Sequence, residues 1–264
     1  MNNENADNYK EFSDPDLRTR ICCPIGIGGV GGSGTRIVAE IITKMGIFLG
    51  DNLTVANDNL SWPNFRELIW LSDLNENEKK ELAFREIARF REEIETSFFA
   101  QSGFSSWGWK APGTFFWLHY FSEYFDNFAY IHVIRHGLEM AYSTNQNQTS
   151  AWSPRFGIDV QRMPMPKAAL RYWIAANKLA ISQGKNLLGP RFHILNFNRL
   201  CKNPSQEIAN LSSFIGLRSS VEEVEALSDL VDEPDTLGRY HGQNMEIFDQ
   251  FELDEVKKMG FELE

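Results

Sequence analysis

Apolar positions along the chain follow two rhythms. Ile21 to Ile27 is a short apolar run of buried-strand type, and from Ile37 to Met45 the apolar residues recur at helical spacing. Asp51 to Trp62 is polar and rich in Asn and Asp, which predicts a loop, and Pro63 suits a helix start. From Glu78 to Phe99, Leu82, Ile87, Phe90, Ile94 and Phe98 return at three- to five-residue intervals among charges, predicting an amphipathic helix with a solvated face. Trp107 to Lys110 looks like the end of a short strand, Pro112-Gly113 turns, and Phe115 to Tyr124 suggests an aromatic-rich helix capped by Thr114. Ala129 to Ile134 is a second buried strand, closed by Arg135, with helix from Leu138 onward.

Ser150 to Pro166 carries three prolines and no period, and is expected to be a long loop of functional type. A helix from Lys167 to Gln183 and a strand from Phe192 to Phe197 follow. Asn203, Pro204 and Gly216 mark the cap, first position and end of another helix. Ser219 or Ser220 opens an acidic helix through Leu230, and a tail helix ends near Met259. Strands alternating with helices predict a parallel central sheet flanked by helices on both faces.

Composition narrows the picture. With 264 residues, of which 42% are hydrophobic and 13% aromatic, the chain can bury one large core. The expected organisation is a disordered polar tail over residues 1–18 and a single domain over 19–264. A net charge of -10 argues against unspecific binding to nucleic acid or to an acidic membrane surface, while leaving room for a local cationic pocket. Cys22, Cys23 and Cys201 form neither a disulfide framework nor a metal spacing. No apolar run approaches the ~20 residues of a membrane span, and the polar start lacks a secretory core, so a cytoplasmic location is expected.

The candidate chemistry begins at Gly28-Gly-Val-Gly-Gly-Ser-Gly-Thr-Arg36, a glycine-rich turn between strand and helix. Glycines let successive amide N–H groups converge, and the helix that follows adds its positive end, so a phosphate or sulfate can sit there. The lysine of a Walker A loop is absent, because Gly34 is followed by Thr35 and Arg36. Gly29, Gly31 and Gly34, with Asp51 downstream, also fit a dinucleotide fingerprint. A plain tight turn is the third reading.

Ligands of parallel sheets collect at the carboxyl ends of the strands. Those ends carry the glycine turn, Asp51, Lys110, Arg135 and either Asn196 or Phe197. Positive groups therefore converge on the anion-binding turn.

These residues resemble the sulfotransferase family, whose donor is 3'-phosphoadenosine 5'-phosphosulfate. Ser33-Gly34-Thr35 is similar to its 5'-phosphosulfate loop, and Arg135 with Ser143 eight positions on is similar to the pair that holds its 3'-phosphate. The resemblance implies a P-loop nucleotide-kinase-like α/β architecture and transfer of a sulfuryl group to a hydroxyl or amine on a small-molecule or carbohydrate acceptor, without a metal. It implies that Gly31, Gly32, Ser33, Gly34, Thr35 and Arg36 form the donor loop. Phe197 is implied as an adenine stack, and Gly238 and Arg239 as a segment closing over the 3'-phosphate.

One departure stands out, since Gly32 occupies a position where relatives often carry Lys or Arg. Lys110 or Arg36 is then expected to neutralise the leaving group, and Asp51 or Asp58 to deprotonate the acceptor, with His136 and His241 as alternatives. Trp62, Trp107, Trp152 and Met163 are candidates for the acceptor pocket. This scheme expects Arg135 to face the glycine turn, unpaired with any interior carboxylate. A dinucleotide-dependent oxidoreductase and a non-catalytic nucleotide-binding protein are the alternatives.

Overall fold

The computed structural model describes residues 24–263. The predicted tail over 1–18 and the first part of the Ile21 strand, with Cys22 and Cys23, lie outside the described residues. Five strands, Ile25–Gly29 (β1), Ile47–Phe48 (β2), Ser106–Lys110 (β3), Ala129–Ile134 (β4) and Phe192–Asn196 (β5), form one sheet. Its order is β2-β3-β1-β4-β5, and every pairing is parallel. Central β1 lies in register with both neighbours, Ile27 opposite Lys110 on one side and Ile131 on the other.

The ten helices among the described residues are Thr35–Lys44 (α1), Glu76–Phe99 (α2), Leu118–Tyr124 (α3), Gly137–Ala141 (α4), Asn147–Trp152 (α5), Met165–Leu188 (α6), Phe197–Lys202 (α7), Pro204–Phe214 (α8), Val221–Ser228 (α9) and Gln250–Lys258 (α10). The two-residue strand period separates two cores. Ile25, Ile27, Ile131 and Val133 pack with Val38, Ile42 and Ile208 on one face. Tyr130 and Ile134 join Phe90, Trp109, Phe121 and Trp173 on the other. Trp109 lies flat on Phe128, with ring centroids 5.3 Å apart and planes 1° from parallel. Among the described residues no helix is long and apolar enough to cross a membrane.

Several sequence boundaries shift. Thr114 caps no helix: its hydroxyl donates to the Ala111 carbonyl and accepts from Trp109 Nε1 inside a 3-10 turn, Pro112–Trp117, that precedes α3. The helix expected after Pro63 is a single π-turn, Arg66–Trp70. The loop expected from Ser150 is already helical through Trp152 and continues as a 3-10 turn over Ser153–Phe156. Helix α7 was hidden behind the strand signal of Phe192 to Phe197; the Asn196 side chain accepts from Arg199 N–H and starts it. Of the two serines expected to open α9 it is Ser220 that caps it, the helix ending at Ser228, and α8 starts at Asn203-Pro204 as expected although the Asn203 side chain makes no cap hydrogen bond.

Candidate functional site

The turn from Val30 to Gly34 joins β1 to α1. It closes through a 3.0 Å hydrogen bond from Ser33 N–H to the Val30 carbonyl, while Gly31 N–H donates to Gln148 Oε1 at 2.7 Å. The expected cradle of amides from Gly31 to Thr35 is therefore corrected in part, because two of its donors are already engaged. Gly34 needs glycine twice over: its φ is 90°, and a Cβ there would lie 2.1 Å from the Phe197 ring. Gly32, at φ 93°, is likewise in a region that side chains rarely adopt.

Two kinds of donor are left. Helix α1 begins without a side-chain cap, so its first N–H groups and positive end face the space over the turn. The Ser33 hydroxyl is only 1% exposed and has no hydrogen-bond partner among the described residues. Burying such a group unpaired costs about 1–3 kcal/mol, which an anion accepting its proton would offset.

Arg135 sits at the end of β4, 4% exposed, beside this turn. Its Nη1 is 3.5 Å from the Gly32 carbonyl, and its Nη2 donates to the carbonyl and hydroxyl of Thr236 at 2.9 and 3.0 Å. The expectation of an unpaired guanidinium fails, since Nε donates to the buried Glu139 carboxylate at 2.6 Å. The turn from β4 into the first residues of α4 brings that carboxylate round, and an isolated buried guanidinium would be far less stable. Glu139 takes the Nε edge and Thr236 takes Nη2, so Nη1 alone is turned toward the glycine turn. Its other oxygen accepts from Asn198 Nδ2 at 2.9 Å and Gly238 N–H at 3.0 Å, which draws the 236–239 segment over Arg135.

Arg239 follows in that segment and donates to the Thr236 carbonyl. Burial and the neighbouring Arg135 charge hold its pKa below the usual arginine value. Ser143 lies just past α4, its hydroxyl accepting from Asn145 N–H, and no hydrogen bond joins it to Arg135.

Lys110 and Asp58 meet at the end of β3. Lys110, 2% exposed, donates from Nζ to Asp58 Oδ1 at 2.6 Å and to the Ala56 carbonyl at 2.9 Å. The long polar loop is folded back by Asn59, whose N–H binds the Lys110 carbonyl and whose Nδ2 binds that of Leu49. Thr54 Oγ1 accepts from Asp58 N–H and closes the turn that presents the carboxylate. Asp58 also opens onto a cleft of about 280 Å³ walled by Trp62, Phe65, Arg66, Trp117, Gln148 and Trp152.

The remaining predictions divide. Asp51 is exposed and hydrogen-bonded to Gln101, outside this cleft. Arg36 is exposed and paired with Glu40 one turn along α1. Phe197 is 6% exposed, with the Arg135 guanidinium 4.9 Å from its ring centre and Gly34 against its edge, so it packs the turn to the arginine and offers little surface to a purine. Trp62 and Trp152 line the cleft, whereas Trp107 is core and Met163 is not among the lining residues. His136 caps α4, accepting Leu138 N–H at Nδ1 and contacting the Glu262 carbonyl through Nε2. Burial lowers its pKa, and both ring nitrogens are engaged within the fold. His241 lies near Gly238, whose added Cβ would touch it.

Glu139, Gln148 and Arg66 escaped the sequence reading. Only Glu139 had a local signal, its i,i+4 spacing from Arg135.

Comparison with known proteins bears on this arrangement. A model of the sulfotransferase family matches residues 24–222. Among solved structures, a sulfotransferase domain from the Synechococcus PCC 7002 olefin synthase aligns with TM-score 0.56 and 15% identity, covering 92% of this chain and 97% of that one. A sulfotransferase domain from the curacin biosynthetic pathway gives 0.53 and 13%, covering 92% and 99%. A sulfotransferase from Mycobacterium tuberculosis gives 0.56 and 13%, covering 92% and 79%. No curated protein sequence matches significantly. At these identities the structural likeness speaks for the parallel α/β fold. The family match extends from the start of β1 through the glycine turn, Lys110, Arg135 and α8, and on that ground the chain belongs to the sulfotransferase family.

Proposed function

We propose that this chain transfers a sulfuryl group from 3'-phosphoadenosine 5'-phosphosulfate to a hydroxyl or amine of a small acceptor. The observation that carries the reading is the Ser33 hydroxyl, buried in the glycine turn at the uncapped head of α1 without a partner of its own. A bound anionic oxygen would complete its hydrogen bonding.

The donor supplies a sulfuryl group on a phosphate leaving group. Ser33, Gly32, Gly34 and the first N–H groups of α1 would hold its 5' end. Arg135, directed by Glu139, would hold the 3'-phosphate with Arg239, Gly238 and Ser143. Gly32 provides no cation, and the ammonium of Lys110 would supply one, offsetting charge building on the leaving oxygen. Asp58 would accept the proton of the acceptor as its bond to sulfur forms. Lys110 would keep that carboxylate aimed at the cleft.

Family membership leaves a dinucleotide-dependent oxidoreductase unfavoured. Calorimetric titration with adenosine 3',5'-bisphosphate, AMP and NAD tests the reading. Clear preference for the bisphosphate is expected, and equal or better binding of NAD would overturn it.

A further inference from the structure

The cleft beside Asp58 carries a charge that neither the donor nor the transfer step uses. Arg66 lies on the π-turn, a rare helical irregularity that recurs at functional sites, and forms part of the cleft wall. Its Nε is shielded from solvent and makes no hydrogen bond among the described residues. The group is held against aromatic faces, its Cζ 5.5 Å from the Trp70 ring and 5.9 Å from that of Trp152. Trp70 and Trp152 are themselves stacked at 5.2 Å. Its counterion, Glu67, reaches Nη1 only and is exposed.

A second guanidinium lies behind the same wall. Arg155 is 5.0 Å from the Phe116 ring and 5.1 Å from Trp117, and it forms no ion pair among the described residues. In a chain of net charge -10, two half-buried arginines share one aromatic wall; Glu67 pairs with Arg66 from the exposed side, and the Asp58 carboxylate on the cleft is already paired with Lys110. A positive field at such a site fits an anion that arrives with the ligand.

We propose that the acceptor is a small aromatic hydroxy acid, its ring against the Trp62 and Trp152 side chains that line the cleft and its carboxylate on Arg66. The inference rests on the sulfuryl-transfer reading for the role of Asp58, but its binding claim stands by itself. A cleft of about 280 Å³ falls just below the ~300–1,000 Å³ of sites for drug-sized ligands, which points to a single substituted ring. Arg66 presents a planar fork that matches a carboxylate, and release of Nε from its unpaired state adds to the binding.

The test uses 4-hydroxybenzoate and its methyl ester, titrated by quenching of intrinsic tryptophan fluorescence and then offered as acceptors in transfer assays. The acid is expected to bind at least about tenfold more tightly than the ester, with a matching ratio in kcat/KM. In Arg66→Gln this ratio falls to near one; in Glu67→Gln, which removes the competing negative charge on Nη1, it rises. Equal or tighter binding of the ester, an unchanged ratio in Arg66→Gln, or no saturable binding of either compound overturns the proposal. Preferential binding of the acid without transfer, from protein that also ignores the bisphosphate, would retain this inference and remove the transferase reading.

Discussion

The ammonium of Lys110 lies 2.6 Å from the carboxylate of Asp58, so the proposed leaving-group cation and acceptor base form one ion pair. Their side chains differ in exposure, 3% for Lys110 and 35% for Asp58, which leaves the carboxylate accessible from the cleft while the cation stays inside.

Lys110→Ala is expected to lower kcat by about 10²–10³-fold, as for loss of one preorganised group at a developing negative charge. Bisphosphate affinity should change much less, and an unchanged kcat would remove the role.

Asp58→Asn keeps an oxygen for Lys110 to bind while losing the proton acceptor. A fall of about 10²–10⁴-fold in kcat is expected. Asp51→Asn, on an exposed residue outside the cleft, should stay within about twofold of the parent. If the two variants exchanged behaviour in the same assay, the base would have to be reassigned to Asp51.

Arg135→Ala should weaken adenosine 3',5'-bisphosphate binding by about 2–4 kcal/mol in calorimetry. The same change strips Glu139 of its guanidinium partner and should destabilise the fold by about 3–5 kcal/mol, read from urea midpoints. Full affinity for the bisphosphate in refolded variant would count against the 3'-phosphate site.

Gly34→Ala combines a positive φ with a Cβ driven into the Phe197 ring, and a loss of at least about 2 kcal/mol in stability is expected. Adding Phe197→Ala removes the collision without relieving the backbone. The double variant should therefore recover only part of the loss relative to Phe197→Ala alone, measured as a double-mutant cycle.

His132 makes stability depend on pH. It is buried in β4 against Asn177 Oδ1, and burial lowers its pKa to about 4 from an ordinary 6.5. The fold favours the neutral ring, so this contribution is complete above pH 6.5 and disappears as pH falls toward 4. The difference amounts to roughly 3 kcal/mol. His119, His136 and His193 shift in the same direction, chiefly through burial. Urea midpoints that stay constant from pH 7 to 4.5 would contradict this, and His132→Gln should flatten the slope.

Local chemistry made much of the fold legible. The glycines between β1 and α1, the apolar run of β4 ending in Arg135, and the periodic face of α2 each state their structure within a short window. The 3-10 turn at Pro112–Trp117 and the π-turn at Arg66–Trp70 were not legible, because aromatic spacing there satisfies a helix while tertiary packing of the rings selects a different hydrogen-bond pattern. The candidate site followed the same division. Lys110 and Arg135 were visible at strand ends. The choice of Asp58 over Asp51 depended on Asn59 pinning the loop across β3, and the Gln148 contact to Gly31 spans 117 positions.

Gln148 leaves one further mark on the molecule. A single amide oxygen serves both Gly31 in the turn and the Tyr172 hydroxyl, while the same side chain forms part of the cleft wall. A substitution at this one position therefore reaches the turn and the cleft together, and neither can be altered there while the other is left as it was.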